Sequence, residues 1–278
     1  MADTSVVRPS ALSISIVTYR IDKLAFCKVL ENLYNAISCL AGRESGPVQI
    51  TIIDNGNQQE LLEDIARNRA ADIAHIEIVG GLNNIGYGRA HNLAILTTRA
   101  PYHLILNPDV LLSEDCLVAG LDYLRQHQKI SAVAPFATDA EGNVQYLCKN
   151  FPSVLDLLLR GFAPETLKRY FQTRLSRYEL RNVITNQAVE GVPLISGCFM
   201  LCNSTMLKQA GGFDERFFLY FEDFALSMEL KKQGPLAFLP QMKIRHFGGN
   251  SARKGIKHIG MFINSGIKFF NTYGWKII

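Results

Sequence analysis

The sequence predicts an α/β fold: a mostly parallel sheet with helices packed on both faces. Three observations carry the prediction. Between Ser13 and Leu106, short β-rich runs alternate with stretches of helical periodicity, the rhythm of successive βαβ units. The runs lead into polar residues at Thr18-Tyr19, Asp54-Asn55, Asn83-Asn84 and Asn107 to Asp109, and in such folds ligands gather at the carboxyl ends of the strands. A chain of 278 residues that is 48% hydrophobic and 19% charged buries a full core, as one large domain or two intimately packed halves.

Taken in order, Ser13 to Thr18 is a β-branched run that predicts the first strand, and Lys23 to Leu40 has helical spacing. Gln49 to Ile53 predicts a second strand, stopped by the turn signal Asp54-Asn55-Gly56. A helix follows over Glu60 to Ala71, a third strand over Ile76 to Val79, a loop over Gly80 to Gly88, a helix over Arg89 to Thr98 and a fourth strand over Tyr102 to Leu106. Beyond Asp109 the rhythm breaks. Glu114 to Gln128 reads as a helix, Ile130 to Pro135 as a strand, and Glu141-Gly142-Asn143 as a turn between strands. Phe151 to Arg181 reads as an amphipathic insertion, with Arg160, Lys168, Arg169, Arg174, Arg177 and Arg181 against only Asp156, Glu165 and Glu179. Pro193 to Cys202 predicts a strand, Ser204 to Ala210 a helix, Phe224 to Gln233 a helix and Leu236 to Leu239 a last short strand. The expected organisation is a main domain over 1–250, with halves at about 1–110 and 111–250 and a helical insertion at about 151–185, then a basic helical segment over 251–278.

Composition narrows the function classes. No apolar run reaches the 18 residues of a membrane span, and Met1 to Ser5 lacks the basic and apolar regions of a secretion signal, so the expected location is the cytoplasm. Cys27, Cys39, Cys116, Cys148, Cys198 and Cys202 show no C-x-x-C spacing, which favours reduced core thiols over a zinc site. The net charge of +4 hides an asymmetry: from Leu230 to the C-terminus there is no Asp or Glu, whereas lysines and arginines recur throughout. Such a tail draws in anions, whether nucleotide phosphates, a lipid-linked diphosphate or an acidic membrane surface.

Two motifs carry the chemistry. The apolar run Leu104-Ile105-Leu106 stops at Asn107-Pro108-Asp109, and far downstream Gly211 to Phe221 leads into the adjacent acids Glu222-Asp223. A carboxylate at the tip of a buried strand can hold a divalent cation against a phosphate, and a second acidic pair can supply a base. Together they point to group transfer from a phosphorylated donor. Gly86-x-Gly88 is not a dinucleotide fingerprint, because it lacks a third glycine and follows the third strand instead of the first.

The order Ser-Ile-Val-Thr-Tyr, Ile-Asp-Asn-Gly, Asn83 to Asn92, Leu-Asn-Pro-Asp and Gly211 to Asp223 resembles family 2 glycosyltransferases of the GT-A fold. It looks most like the rhamnosyltransferase branch of bacterial polysaccharide and O-antigen assembly, over Ser13 to Gly249. The resemblance implies an inverting, metal-dependent enzyme using Mg²⁺ or Mn²⁺. The expected donor is dTDP-L-rhamnose and the acceptor a glycan on a polyprenyl diphosphate, reached from the inner face of the membrane by peripheral contact. No nucleic-acid partner is expected.

By that resemblance Asp109 is the metal ligand, and Asn107 stands where the family usually has the first acid of Asp-x-Asp, which removes one charge from the site. His246 would complete the metal shell, a neutral imidazole suiting Mn²⁺ better than Mg²⁺. Arg245, Arg253 and Lys254 are placed to help hold a diphosphate, a bidentate task that favours arginine. Asp223 is the expected base and Glu222 its support or an acceptor ligand. The competing explanation is an ordinary acidic helix N-terminus. Thr18 and Tyr19 match the loop that holds base and ribose, Asp54 the acid that contacts the base, and Asn84, Gly86 and Arg89 the loop over the nucleotide. Gly86 and Gly88 would allow backbone approach to the ligand, and Arg89 would face phosphate. Phe217, Phe218, Tyr220 and Phe221 read as packing before they read as a sugar platform. Two other readings compete: a nucleotidyltransferase-like enzyme, which would need a glycine-rich basic loop absent around Val17 to Lys23, and a catalytically inactive partner protein of the same fold.

Overall fold

A computed structural model describes residues 10–43, 46–67, 73–248 and 255–278. The first half runs β1 (Leu12–Thr18), α1 (Lys23–Ser38), β2 (Val48–Asp54), α2 (Gln59–Arg67), β3 (Ala74–Val79), α3 (Tyr87–Ile95) and β4 (Tyr102–Leu106). There follow β5 (Val110–Leu112), α4 (Cys116–Gln126), β6 (Ala132–Thr138), β7 (Val144–Gln145), β8 (Cys148–Lys149) and the inserted helices α5 (Val154–Phe162), α6 (Glu165–Tyr170) and α7 (Gln172–Tyr178). The chain closes with β9 (Val189–Glu190), β10 (Leu194–Ile195), β11 (Phe199–Asn203), α8 (Ser204–Gln209), α9 (Glu222–Gln233), β12 (Leu236–His246) and α10 (Ile256–Tyr273).

The main sheet has the order β3-β2-β1-β4-β11-β6-β12-β5, with β7 on β6 and β9 on β12. Its first four strands are parallel, as the βαβ rhythm requires. The sheet as a whole is mixed, because β11 runs antiparallel between β4 and β6 and β5 runs antiparallel to β12. Every residue of β1 is buried, as expected of a central strand covered on both faces. On one face α1 packs Phe26, Val29, Leu30, Leu33 and Ile37, a helical stripe launched by Asp22, whose side chain accepts from Ala25 N at 2.9 Å. On the other face Ile105, Met200 and Phe213 form a second cluster.

The opposite face also holds a buried polar chain. Thr98 Oγ1 donates to Ser13 Oγ (2.7 Å), Ser13 Oγ meets His103 Nδ1 (2.6 Å), and Ser15 Oγ bridges His103 Nε2 (2.8 Å) and His91 Nδ1 (2.6 Å). Burial keeps both imidazoles neutral, His103 falling to about 3 and His91 well below its usual value. Such residues are tolerated within a strand core because nearly every polar atom finds a partner, His91 Nε2 being the exception.

Several elements differ from the sequence reading. The last strand does not stop at Leu239. An irregularity between Leu239 and Lys243, beginning at Pro240 with its missing N–H, is followed by renewed pairing that carries β12 to His246. The run Pro193 to Cys202 is two strands, since β10 pairs with β8 in a separate two-stranded sheet and the chain then crosses to the main sheet as β11. α3 starts at Tyr87 and α9 at Glu222, each two residues earlier than the apolar periodicity indicates. The end of the helix expected over Glu60 to Ala71, at 68–71, lies outside the described residues. The turn at Glu141-Gly142-Asn143 does join paired strands, with Asp139 Oδ1 accepting from Glu141 N and Asn143 N.

The insertion is three short helices, and much of its basic charge is neutralised internally. Arg174 bonds Asp156 (2.6 Å), while Lys149, Arg160 and Arg181 surround Glu179. The C-terminal residues lie against its start, Val154 N donating to Lys276 O (2.8 Å). α10 buries Phe269 and Phe270 against Phe217, Phe221 and Ala225. All six cysteines are free thiols, four of them buried. Among the described residues no helix is long and apolar enough to cross a membrane.

Candidate active site

β4 delivers Asn107 to the sheet's carboxyl edge, where its N–H donates to Cys198 O at 2.9 Å. The chain then reverses into β5, which pairs with the end of β12 so that Val110 lies opposite His246 and Phe247 N donates to Asp109 O (3.0 Å). This pairing, invisible in local sequence, brings His246 Nε2 to 3.5 Å from Asp109 Oδ1. The Asp109 carboxylate is partly open to solvent, yet Oδ1 is buried and accepts no hydrogen bond. Gly248 closes the corner. A Cβ there would stand 2.8 Å from His246 Nε2 and press on Asp109 Oδ2.

These features fit a divalent cation: a nitrogen and an oxygen donor converge, one of them an orphaned buried atom, with backbone kept bare beside them. Among the described residues no cluster of three or more His, Cys, Asp or Glu exists, so protein would supply only part of a coordination shell. Two surface clefts, of about 330 and 270 Å³, lie elsewhere and include neither Asp109 nor Asp223. The donor geometry locates the site better than concavity does, since an edge built to take a large ligand is open.

Tyr87 joins this corner to the acidic motif. Its hydroxyl lies 2.9 Å from Asn107 Oδ1 and 2.7 Å from Gly197 O, and Gly197 N donates to Asp223 Oδ2 at 3.0 Å. Asp223 Oδ1 accepts from Phe224 N (2.9 Å). Burial raises the Tyr87 phenol well above its usual value and the Cys198 thiol to about 12, and the charges of Asp109 and Asp223 add to both shifts. Gly197 and Tyr87 thus link Asp223 to Asn107, two residues from Asp109. Glu222 is buried with Oε2 unpartnered, and desolvation followed by repulsion from Asp223 raises its carboxyl. Burial raises Asp223 too, but its two amide donors oppose that shift, so Asp223 is the member of the pair that ionises first. Tyr220 and Phe221, both non-glycine residues at positive φ (69° and 64°), turn the chain into α9 so that these acids face inward.

The nucleotide-side residues are placed less uniformly. Thr18 is buried with its hydroxyl on Ile53 O (3.3 Å), and Tyr19 is half exposed beneath the Arg20 guanidinium. Both Asp54 oxygens accept backbone amides, from Gly56 (2.8 Å) and Gln58 (2.6 Å), so Asp54 holds the turn into α2. Asn84 accepts from Gly86 N, and neighbouring Asn55 donates to Gly86 O. The glycines serve a different contact from the one expected. Gly86, at φ 95°, would place a Cβ 2.8 Å from Phe218 O, and one on Gly88 would meet Phe213 Cβ at 2.7 Å, so both let α3 dock on the acidic motif. Arg89, expected at a phosphate, pairs with Glu215 at 3.3 Å. Arg245 alternates away from His246 and lines the larger cleft with Lys243 and Asn32, which removes it from the cation corner. Arg253 and Lys254 lie outside the described residues. Phe217 and Phe221 are buried packing, while Phe218 is exposed. Sequence reasoning missed the bridging roles of Tyr87 and Gly197. Tyr87 lies inside the Asn83 to Asn92 motif and read as loop; Gly197 was hidden in a run taken for a continuous strand.

The mixed sheet thus carries the donor pair and the buried acids at one edge, joined through Tyr87 and Gly197. The sequence matches glycosyltransferase like family 2 over residues 9–258, and the chain belongs to that family; it is a glycosyltransferase. Within it the chain is similar to rhamnosyltransferases. It is 26% identical over 217 residues to the N-acetylglucosaminyl-diphospho-decaprenol L-rhamnosyltransferase of Mycobacterium tuberculosis, covering 74% of this chain and 68% of that protein. It is 23% identical over 238 residues to the rhamnosyltransferase WbbL of Escherichia coli, covering 74% and 85%. The fold is GT-A. GalNAc-T7 with UDP, GalNAc and Mn²⁺ superposes with a TM-score of 0.63 at 11% identity, over 95% of this chain and 48% of that one. The mannosyltransferase PcManGT of Pyrobaculum calidifontis with GDP-Man and Mn²⁺ gives 0.57 at 13%, over 94% and 65%.

Proposed function

We propose that the chain moves L-rhamnose from dTDP-L-rhamnose, with inversion at the anomeric carbon, onto a polyprenyl-diphosphate-linked glycan in cell-surface polysaccharide assembly. The observation that carries this reading is the hydrogen-bonded link from Asp223 through Gly197 and Tyr87 to Asn107, two residues before the Asp109 that faces His246 at 3.5 Å. The activities named for the mycobacterial and E. coli relatives support rhamnose as the sugar, and the former supports a polyprenyl-diphosphate carrier.

In this reading Asp223 accepts the proton of the acceptor hydroxyl as that oxygen attacks the anomeric carbon. The bond from that carbon to the diphosphate breaks, and the nucleoside diphosphate leaves with the electron pair. Gly197 N–H and Phe224 N–H aim the Asp223 carboxylate, and Glu222 stays protonated beside it, which spares the base a second adjacent charge. Asp109 and His246 would hold Mg²⁺ or Mn²⁺, which when bound stabilises charge developing on the leaving diphosphate. The acid-free stretch after Leu230 and the exposed Phe162, Tyr170, Trp275 and Ile278 support peripheral contact with the inner membrane face. A mass-spectrometric screen of purified protein with a panel of nucleotide sugars and a short polyprenyl-diphosphate acceptor tests the reading. Turnover is expected with dTDP-L-rhamnose and manganese; turnover confined to another donor would overturn the sugar assignment.

A further inference from the structure

Gln145, on β7, reaches across to the end of β12 and makes three contacts whose directions are mutually dependent. Its Nε2 donates to His246 O at 3.0 Å and Gly248 O at 3.4 Å. Both partners are carbonyl oxygens, which only accept, so this end of the amide is the NH₂ group. The other end, Oε1, is therefore the atom 2.9 Å from His246 Nδ1. An amide oxygen only accepts, so Nδ1 must carry a proton. In the neutral ring Nε2 then bears a lone pair, and it lies 3.5 Å from Asp109 Oδ1, a buried oxygen that accepts no hydrogen bond. Two electron-pair donors face each other across a gap that Gly248 keeps free of a side chain.

We infer that Gln145 is a positioning residue: it holds His246 in the Nδ1–H tautomer, so that His246 Nε2 and Asp109 Oδ1 stand ready as a pair of donors for a divalent cation. An unconstrained imidazole in water favours the opposite tautomer, with its proton on Nε2, which would direct an N–H at Asp109 and close the gap with a hydrogen bond. Hydrogen bonds of this kind to the far nitrogen of a metal-binding histidine fix ring and tautomer, and their loss lowers metal affinity by about 10–100-fold. The cation half of the inference rests on the proposed metal dependence; the tautomer half does not.

The two halves separate in one experiment on the full chain. Two-bond proton–nitrogen NMR of ¹⁵N-labelled protein, without metal and above the imidazole titration range, reads the His246 tautomer, assigned by its loss in His246→Asn. Titration with MnCl₂, followed by the EPR signal of free Mn²⁺, reads affinity. Wild type is expected to show Nδ1–H and to bind Mn²⁺. Gln145→Leu should shift His246 toward Nε2–H and weaken Mn²⁺ by about 10–100-fold, while Gln145→Glu, which keeps an acceptor at Nδ1 but gives up the donor to His246 O and Gly248 O, should retain the tautomer and bind Mn²⁺ more tightly than Gln145→Leu. Unchanged circular dichroism and thermal midpoint in Gln145→Glu keep the comparison valid if Gln145→Leu folds poorly. An Nε2–H tautomer in wild type overturns the inference, as does equal Mn²⁺ affinity in all three proteins. Nδ1–H with no Mn²⁺ binding in wild type overturns the metal reading, and the cation half with it, leaving the tautomer assignment standing.

Discussion

Replacing Glu222 by glutamine removes one of the two buried carboxyls of the motif and with it one proton that the fold holds. Glu222 is 6% exposed, its Oε2 lacks a partner, and Asp223 is adjacent. Desolvation, then the Asp223 charge, pushes the carboxyl from 4.5 up to about 8. The unfolded chain releases this proton near the ordinary value while the folded chain retains it. Between those two points the unfolded state binds fewer protons, so the contribution to stability falls as pH rises. At about 1.4 kcal/mol per unit, the wild-type penalty reaches about 3 kcal/mol near pH 7. Glu222→Gln has no proton to lose. It is expected to unfold about 2–3 kcal/mol less readily near neutrality, a thermal midpoint higher by on the order of 5 °C, with the advantage vanishing below about pH 4. His91 and His103, held neutral by burial, act in the other direction: their stabilisation is complete above 6.5 and is lost as pH falls below it. Both proteins share them, so the difference between variant and wild type reports the Glu222–Asp223 pair alone. Urea unfolding across pH reads this difference directly. A gap that does not change with pH, or a variant that weakens as pH rises, would refute the assignment of Glu222 as the protonated neighbour.

Three further outcomes follow from the same geometry. Asp223→Asn keeps the shape but removes the proposed base; kcat should fall about 10²–10⁴-fold with donor KM little changed, measured by initial rates of sugar transfer. Gly248→Ala puts a methyl group against His246 Nε2 and Asp109 Oδ2, and kcat/KM with Mn²⁺ should drop about 100-fold while the metal-free thermal midpoint hardly moves. Ser15→Ala strips one hydrogen-bond partner from each of two buried imidazoles and should destabilise by about 2–5 kcal/mol in urea unfolding, with no direct effect on donor binding.

The parallel half was legible because its elements are local: apolar strands, amphipathic helices and polar strand ends each announce themselves within a dozen or so residues. Asp109, Glu222 and Asp223 were singled out by motif order and His246 by the family resemblance; the structure sets His246 beside Asp109 and links Asp223 to Asn107 through Gly197 and Tyr87. What sequence could not supply was direction across strands. Pro240 read as the end of β12, so the pairing of His246 with Val110 was out of sight, and Arg245 seemed as available as His246 although the strand turns it to the other side. Gly86 and Gly88 were seen as glycines with a purpose, but the purpose is Phe218 and Phe213, residues far away in sequence. Gln145 has no local signature at all. Its importance comes only from the two carbonyls and one imidazole that surround it in space.

The C-terminal helix takes part in the same arrangement in space. Read as a basic segment following the domain, α10 carries no residue of the acid pair or the cation corner, yet it holds the backbone that aims both acids. Tyr220 and Phe221 sit in the left-handed region, an arrangement that costs about 1–3 kcal/mol at each such residue and persists only when surroundings enforce it. Those surroundings are largely α10. The Phe221 ring lies 5.0 Å from Phe262 and 5.4 Å from Phe269, Tyr220 Oη meets His258 Nδ1 at 2.9 Å, and Ser265 Oγ and Lys268 Nζ donate to Leu219 O and Arg216 O, each at 2.8 Å. Released from these contacts, residues 220 and 221 would relax toward negative φ, and the first turn of α9 would rotate Asp223 off Gly197. Within the aromatic run before Glu222-Asp223, Tyr220 and Phe221 are thus the grip by which α10 fixes the backbone that aims Asp223.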